Sequence, residues 1–180
     1  MNTFVALLRA INVSGQRSIR MADLQTSLQA MGLAAVKTYL QSGNVVFASA
    51  DTHADPLATR IKSRILADFG HEVEVLVFSA EALRALVAAH PWAEEASADG
   101  ARFHACVLFQ PPAPRVFQQL TLPLQPGERA RLLGQAIYLD CPQGYGKTKL
   151  NNAFFEKKLS LTATTRNWRT LLALVNLCSH

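Results

Sequence analysis

The sequence predicts an α+β protein built from two subdomains, and three observations support this prediction. Strand and helix patterns follow each other over the first eighty residues in the order βαββαβ, the order of a ferredoxin-like fold. A second series, βαββαα, follows in the rest of the chain. The composition, 49% hydrophobic and 17% charged in 180 residues, is ordinary for a globular protein. We therefore predict a ferredoxin-like subdomain over 1–80, packed with a second α+β subdomain over 81–180.

The elements of the first subdomain follow from apolar periodicity and from turn residues. Leu24, Leu28 and Met31 have helical spacing, while Asp55 and Pro56 are typical of a helix start. The polar turn 42–44 suits a hairpin between two strands. The predicted strands are 3–11, 36–41, 45–49 and 73–78, and the predicted helices are 21–31 and 55–69.

The second subdomain repeats this order of elements but ends differently. Phe103, Ala105 and Val107 alternate within a predicted strand, which the prolines of 111–114 end. Gly134 and Gln135 lie at the centre of a predicted hairpin. The predicted elements are helix 80–90, acidic loop 91–100, strand 102–109, a short helix near 116–120, strands 129–133 and 136–140, and helices 149–159 and 165–177. The last helix stands where the first series has its fourth strand.

The net charge is concentrated at one end of the chain. Residues 141–180 contain six lysines and arginines and the single acid Glu156, which gives +5, the net charge of the whole chain. The first 140 residues contain twelve of each sign. A neutral body with a cationic end is typical of a protein that presents that end to an anionic partner.

Two predicted helices start inside this basic segment. Thr148 is a candidate N-cap of the first helix, and Thr164 or Thr165 of the second. Because a helix N-terminus prefers acids, cations placed there indicate an external negative charge. We predict a ligand-binding site that includes Lys147, Lys149, Arg166, Asn167 and Arg169. In the last helix, Trp168, Leu171, Leu172 and Val175 share a face that should be buried.

Polar residues at two N-terminal turns are further candidates for ligand binding. Arg9 ends an apolar strand and precedes a loop, 12–20, that is rich in donors and has no acid. Ser42 and Asn44 of the predicted hairpin add polar groups, although turn chemistry also accounts for them.

Several classes of protein are not indicated. No apolar run reaches the roughly 18 to 20 residues that span a bilayer, and the N-terminus is a poor secretory signal. Cys106, Cys141 and Cys178 lie far apart without a CxxC pair, so we predict no metal site, no disulfide framework and a cytoplasmic location. The GKT at 146–148 lacks the glycine of a phosphate loop, because that position is Cys141. No cofactor is predicted, and no catalytic residue is assigned.

Three functions remain open. The basic segment favours binding of a phosphate-bearing ligand, either an anionic small molecule or nucleic acid. An enzyme that acts on an anionic substrate between the subdomains is the second possibility, although no acid/base pair stands at a recognised spacing. The third is an assembly role with an acidic partner or a second copy. A solvated basic face without a ligand is the simplest structural explanation.

The chain resembles the bacterial family called domain of unknown function 1697. Four ordered blocks support the resemblance: FVALLRAINVSG near the start, TYLQSGNVVF at 38–47, GYGKTKLNNAFFEKKL at 144–159 and ATTRNWRTL at 163–171. The usual first block of the family is closer to LLRGINVGG, so Ala10 and Ser14 stand here in place of two glycines. The resemblance implies a ferredoxin-like subdomain followed by a second α+β subdomain. It also adds Asn152, which lies in a recurrent C-terminal block, to the candidate ligand-binding residues, and it transfers no reaction.

Overall fold

The computed structural model describes residues 1–179. These residues form two compact units, one of Met1–Arg84 with the described residues from Ala173 onward and the other of Ala85–Leu172. Both are α+β, which confirms the predicted fold class. The predicted domain limits, 1–80 and 81–180, stay a prediction about which segments fold independently. Within the described residues, no helix has the length and apolar character needed to cross a bilayer.

The first unit contains a four-stranded antiparallel sheet with the strand order β2-β3-β1-β4. This order, with a helix after the first and third strands, is ferredoxin-like, as the sequence predicts. The helix α3 follows β4 without a loop. The elements are β1 (Asn2–Leu8), α1 (Met21–Ala30), β2 (Ala34–Tyr39), β3 (Asn44–Ser49), α2 (Ala54–Phe69), β4 (Val75–Ser79) and α3 (Ala80–Ala88).

The core of the first unit lies between the sheet and its two helices. Alternation along β1 places Phe4, Ala6 and Leu8 on the face that contacts α1 and α2. Leu57 and Ile61 of α2 are fully buried in the same cluster. Burial of each large apolar side chain of this kind contributes roughly 1.5–3 kcal/mol, so this face alone holds much of the unit together.

The second unit contains a second four-stranded antiparallel sheet, with the order β6-β7-β5-β8. It is the strand order of the first unit. Short 3-10 turns precede β5 at Gly100–Arg102 and α6 at Tyr145–Lys147. The elements are α4 (Ala93–Ala98), β5 (Phe103–Leu108), α5 (Pro114–Gln118), β6 (Arg129–Leu133), β7 (Ala136–Asp140), α6 (Asn152–Leu159), β8 (Ala163–Asn167) and α7 (Trp168–Leu177), of which α7 continues past Leu172, the last residue of this unit.

The end of the second series differs from the predicted βαββαα order. Residues 163–167 form the strand β8, which pairs with β5 along its length, so the helix predicted over 165–177 begins at Trp168. The β-branched Thr164 and Thr165 favour a strand, and β5 offers them a free edge. The predicted acidic loop 91–100 also contains a helix, α4. The predicted buried face of α7 is wrong at Leu172, which is exposed, whereas Leu174 is buried.

The same pattern of backbone hydrogen bonds occurs within each unit, as does the same strand order. In each unit, the N–H of the last residue of the first strand donates to the carbonyl of the residue before the third strand. The N–H of the residue after the first strand donates to the carbonyl of the residue before the fourth strand. These pairs are Leu8 with Gly43 and Arg9 with Glu74 in the first unit, and Leu108 with Gln135 and Phe109 with Thr162 in the second, all at 2.9 Å. The chain is therefore a structural repeat, and positions in one unit have defined equivalents in the other.

Candidate functional site

Lys147 and Lys149 lie in the exposed segment before α6. Lys147 ends the 3-10 turn, and its carbonyl accepts a hydrogen bond from Gln125 Nε2 at 3.0 Å. The helix starts three residues later than predicted, and its N-cap is Asn151, whose Oδ1 accepts from the Phe154 N–H at 2.9 Å. Thr148, the predicted cap, is buried and instead accepts from the Leu150 N–H. The two lysines therefore precede the helix rather than occupy its first turn.

Arg166 lies within a strand and not at a helix start. Arg166 is 7% exposed, and its guanidinium donates to Thr164 Oγ1 at 2.7 Å and to the Thr165 carbonyl at 3.1 Å. Burial lowers its pKa to about 10. Since side chains alternate along β8, Arg166 points to the face opposite that of Thr165 and Asn167. The structure therefore separates Arg166 from Asn167, with which the sequence grouped it.

Asn167 connects β8 to the start of α7. Its Oδ1 accepts a hydrogen bond from the Arg169 N–H at 2.9 Å, and its Nδ2 donates to the Ala101 carbonyl at 3.1 Å. The Arg169 side chain is exposed and passes over Gly100, where an added Cβ would lie 3.1 Å from Arg169 Cγ. Asn167 thus fixes the first turn of α7 and the position from which Arg169 extends.

Asn152 belongs to a partly buried polar network between α6 and the sheet. Its Nδ2 donates to Glu156 Oε1 at 2.7 Å and to the Ala163 carbonyl at 2.8 Å. Its Oδ1 accepts from Thr165 Oγ1 at 3.2 Å, and Cys106 Sγ lies 3.8 Å away. Glu156 Oε1 also accepts from the Ala163 N–H at 3.2 Å. The network ties the first turn of α6 to β5 and β8.

His104 adds an aromatic group at the end of this network. Its ring stacks on that of Tyr145, with 4.6 Å between the centroids and 24° between the planes. His104 is 8% exposed, and burial lowers its pKa to about 4, although the nearby Arg102 carbonyl opposes this shift. The imidazole is therefore neutral at neutral pH.

Asn167 is the polar neighbour of the His104 ring. Asn167 Oδ1 accepts from the Arg169 N–H, so the Asn167 amide nitrogen faces His104 Nε2, 3.4 Å away. The same amide nitrogen donates to the Ala101 and Phe103 carbonyls at 3.1 and 3.5 Å. The buried Nδ1 of His104 has no hydrogen-bond partner among the described residues. A buried ring nitrogen without a hydrogen bond is costly.

Comparison with the first unit shows that the fold does not require these polar groups. The strand register makes His104 equivalent to Phe4, because His104 pairs with Asn167 and Phe4 pairs with Ser79. In the same way, the pair of Cys106 and Thr165 is equivalent to the pair of Ala6 and Val77. The inner face of the first sheet is apolar at Phe4, Ala6 and Val77, which all belong to its core. The second unit places an imidazole, a thiol and a hydroxyl at these positions. We take this polar face as the centre of the candidate site.

Cys106 is not suited to nucleophilic chemistry. It is fully buried, and burial raises the pKa of its thiol to about 12, with Thr165 opposing and Glu156 reinforcing the shift. A reactive cysteine needs the thiolate at neutral pH. Within residues 1–179, no group of three or more His, Cys, Asp or Glu side chains is arranged to hold a metal ion.

Five cations of the C-terminal segment form what we call the basic surface. All five are exposed, and none forms an ion pair with a carboxylate that the structure describes. The basic surface consists of Lys147, Lys149, Lys157, Lys158 and Arg169. By contrast, several cations earlier in the sequence form ion pairs with carboxylates, namely Arg20, Arg60, Lys62, Arg64, Arg102 and Arg129.

The N-terminal candidates lie together at one end of the first sheet. Arg9 follows β1, and its N–H donates to the Glu74 carbonyl at 2.9 Å. Asn44 begins β3, is fully buried, and donates to the Tyr39 carbonyl at 2.7 Å and to Ser42 Oγ at 2.9 Å. The amide of Asn44 therefore closes the hairpin turn.

Sequence reasoning missed His104 and Thr165 as members of the site and treated Cys106 as a core residue. The sequence around His104 shows only a single histidine within an apolar strand. The structure buries this strand on both faces, so the imidazole enters the interior of the unit. The partners that make this burial informative, Tyr145 and Asn167, are remote in sequence.

Residues 1–138 match the family described as "protein of unknown function (DUF1697)". The chain belongs to this family. The match confirms the resemblance seen in the sequence and ends before the basic surface. A solved structure of a conserved bacterial protein from Streptococcus pneumoniae has a TM-score of 0.72 and 22% sequence identity, and the similarity covers 98% of each chain. It shows a common fold. No curated protein matches the chain.

Proposed function

We propose that the second unit binds a phosphate-bearing anionic ligand through the basic surface. The observation that carries the proposal is that Lys147, Lys149, Lys157, Lys158 and Arg169 are exposed and have no described carboxylate as a partner. Cations close together in the chain repel one another, and an anion between them removes this cost.

The division of charge within the second unit supports this proposal. Arg102 and Arg129 both contact the fully buried carboxylate of Asp140, at 2.6 Å and 2.5 Å. Arg129 also contacts Glu95 at 2.7 Å, so two carboxylates balance the two guanidinium charges inside the unit. The lysines near α6 have no such partner among the described residues, so their charge remains available to a ligand from solvent.

The other candidate residues take different roles in this proposal. Asn152 and Asn167 use their amides inside the unit, so Asn152 ties α6 to β8 and Asn167 positions Arg169, and neither amide is assigned to the anion. Arg166 is left out because it points to the opposite face of the sheet. Arg9, Ser42 and Asn44 stay a separate candidate group in the first unit.

Salt-dependent binding tests the proposal. We would measure the fluorescence anisotropy of a labelled single-stranded RNA and its competition by inorganic phosphate between low and moderate salt. Phosphate contacts predict affinity that falls linearly on a log–log scale with salt, with a slope of roughly −0.7 for each contact. No binding of either probe at low salt would overturn the proposal.

A matched pair of variants separates the basic surface from general charge. The double variant Lys147→Ala/Lys149→Ala should weaken RNA binding by about tenfold and flatten the salt dependence. Arg115→Ala/Arg131→Ala removes the same charge from exposed positions of the same unit outside the basic surface. This control should change the affinity by less than about twofold. Equal losses in both variants would show that net charge alone attracts the probe.

A further inference from the structure

We propose that Tyr145 is a movable lid that covers a subsite for a planar ring on His104, so the ligand is nucleotide-like, with a heteroaromatic base attached to its phosphate. This inference rests on the proposed function and adds the class of ligand. It starts from the polar inner face of the second sheet, which the equivalent apolar face of the first unit shows to be unnecessary for the fold.

The stack of His104 and Tyr145 has the geometry of a nucleobase on an aromatic side chain. His104 is held in the sheet, and one face of its ring is covered by Tyr145 at 4.6 Å with nearly parallel planes. A nucleobase has the same planar shape and stacks on aromatic side chains in the same way. The neutral imidazole suits an uncharged base, and its buried Nδ1 has no partner among the described residues.

Tyr145 lies between two glycines at a short turn. The 3-10 turn is three residues long and is flanked by Gly144, which has φ +95°. A Cβ added at Gly144 or Gly146 would meet no atom within 4 Å. Gly144 and Gly146 lie on either side of Tyr145 and can absorb a change of backbone angles, so the Tyr145 ring can swing away while β5 and β8 keep the other residues of the site in place.

Polar groups lie beside the Tyr145 ring, and cations follow in the same segments of the chain. The Thr165 side chain and the Asn152 backbone lie beside the Tyr145 hydroxyl and are available to the polar edge of a base that replaces it. Lys147 follows Tyr145 by two residues, and Arg169 follows Asn167, the neighbour of His104, by two residues. The two segments that carry Tyr145 and Asn167 therefore also carry exposed cations of the basic surface, to which we assign the phosphate of the ligand.

The experiment compares two ligands that differ in the base. Calorimetric titration of the full chain with AMP and with ribose 5-phosphate at low salt should give affinity at least about tenfold higher for AMP, because stacking adds to the phosphate contacts. Equal affinity for the two ligands would overturn the subsite and leave the proposed function intact. If neither ligand nor RNA binds, both proposals fail. If RNA binds and AMP does not, this inference alone fails.

Two variants test the lid. Tyr145→Ala removes the ring that AMP must displace, so AMP should bind about tenfold more tightly while ribose 5-phosphate is unchanged. Tyr145→Phe keeps the ring and should stay within about threefold of the parent protein. A loss of AMP affinity in Tyr145→Ala would show that Tyr145 holds the ligand and would overturn the lid.

A measurement on the unmodified protein keeps the test valid if Tyr145→Ala does not fold. The imidazole proton resonances of His104 sense the ring stacked on them. Addition of AMP should shift these resonances, and addition of ribose 5-phosphate should not. Identical shifts with the two ligands would contradict the exchange of one ring for another.

Discussion

The ring of His104 lies stacked on the ring of Tyr145, with 4.6 Å between the centroids. In the first unit the equivalent residue, Phe4, stacks on Phe47 of a neighbouring strand, with 5.8 Å between the centroids. The first unit thus completes its stack inside the sheet, whereas the second takes the covering ring from the turn before α6. A turn is more easily displaced than a strand, which is why this contact is the centre of the candidate site.

The stability of the protein should fall as the pH drops from about 6.5 to 4. Burial lowers the pKa of His104 and of His90 to about 4, while the unfolded residues titrate near 6.5. In this window the unfolded chain binds protons that the folded chain excludes, so acid favours unfolding. Each histidine contributes at most roughly 3 kcal/mol. Urea unfolding at pH 7, 5.5 and 4.5 measures the effect.

Substitution of the histidines identifies the source of this pH dependence. His104→Phe, which introduces the residue found at the equivalent position of the first unit, should remove about half of the loss between pH 6.5 and 4. The exposed His53 provides the control, and His53→Ala should leave the profile unchanged. A pH profile that is the same in both variants would contradict the assignment.

Asp140 should be among the most sensitive positions of the second unit. Its carboxylate is fully buried, and it contacts Arg102 at 2.6 and 2.7 Å and Arg129 at 2.5 and 2.8 Å. Burial opposes ionisation, but the two guanidinium groups hold the pKa of Asp140 below its ordinary value. Asp140→Ala should therefore cost about 3–5 kcal/mol of unfolding free energy.

Glu95 provides the control for this network. It contacts the same Arg129 at 2.7 Å, but its side chain is 51% exposed. Glu95→Ala should cost less than about 1 kcal/mol in the same denaturation experiment. Similar losses for Asp140→Ala and Glu95→Ala would show that burial does not set the strength of these contacts.

Two glycine substitutions in the first loop should stabilise the protein. Ala10 and Ser14 have φ values of +55° and +50°, in the left-handed region that glycine adopts without a Cβ clash. They stand where the family block usually has glycine. Ala10→Gly and Ser14→Gly should each raise the unfolding free energy by roughly 0.5–1 kcal/mol. Ala22→Gly, on the exposed side of α1, should lower it by about 1 kcal/mol.

Gly43 should tolerate no side chain. Its φ is +84°, and an added Cβ would lie 2.6 Å from Ile11 Cδ1 and 2.9 Å from Leu8 Cβ. Gly43→Ala should destabilise the protein by more than about 2 kcal/mol. Gly134, at the equivalent hairpin of the second unit, has φ +60° and nothing within 4 Å. Gly134→Ala should therefore cost only about 1 kcal/mol, and a cost equal to that of Gly43→Ala would contradict the clash.

The sequence predicted most of the fold because most elements carry a local signal. Apolar alternation and turn residues were sufficient for β1–β4 and for the hairpin of β6 and β7. Residues 163–167 were the exception, because helical spacing continues backward from Trp168 into a segment with only five strand residues. The edge of β5 decides that segment, and β5 lies about sixty residues away in the chain. Pairing partners at this separation leave no local pattern.

The candidate site was predicted in part. The concentration of charge indicated Lys147, Lys149 and Arg169, and the structure leaves all three exposed. It did not indicate that Arg166 lies on the face of β8 opposite to Thr165 and Asn167, because a predicted helix gives a different direction to each side chain than a strand does. His104 was missed because a single histidine in an apolar strand carries no signal until its neighbours are known.

The sequence by itself determined the α+β class, the ferredoxin-like order of the first unit and the location of the excess charge. These properties depend on periodicity and composition, which are local or additive along the chain. Only the tertiary structure decided that the second unit repeats the first and that Tyr145 covers His104. It alone also showed that the inner face of the second sheet is polar at three positions whose equivalents in the first unit are apolar. Each of these depends on which distant residues become neighbours, and strand pairing fixes that choice.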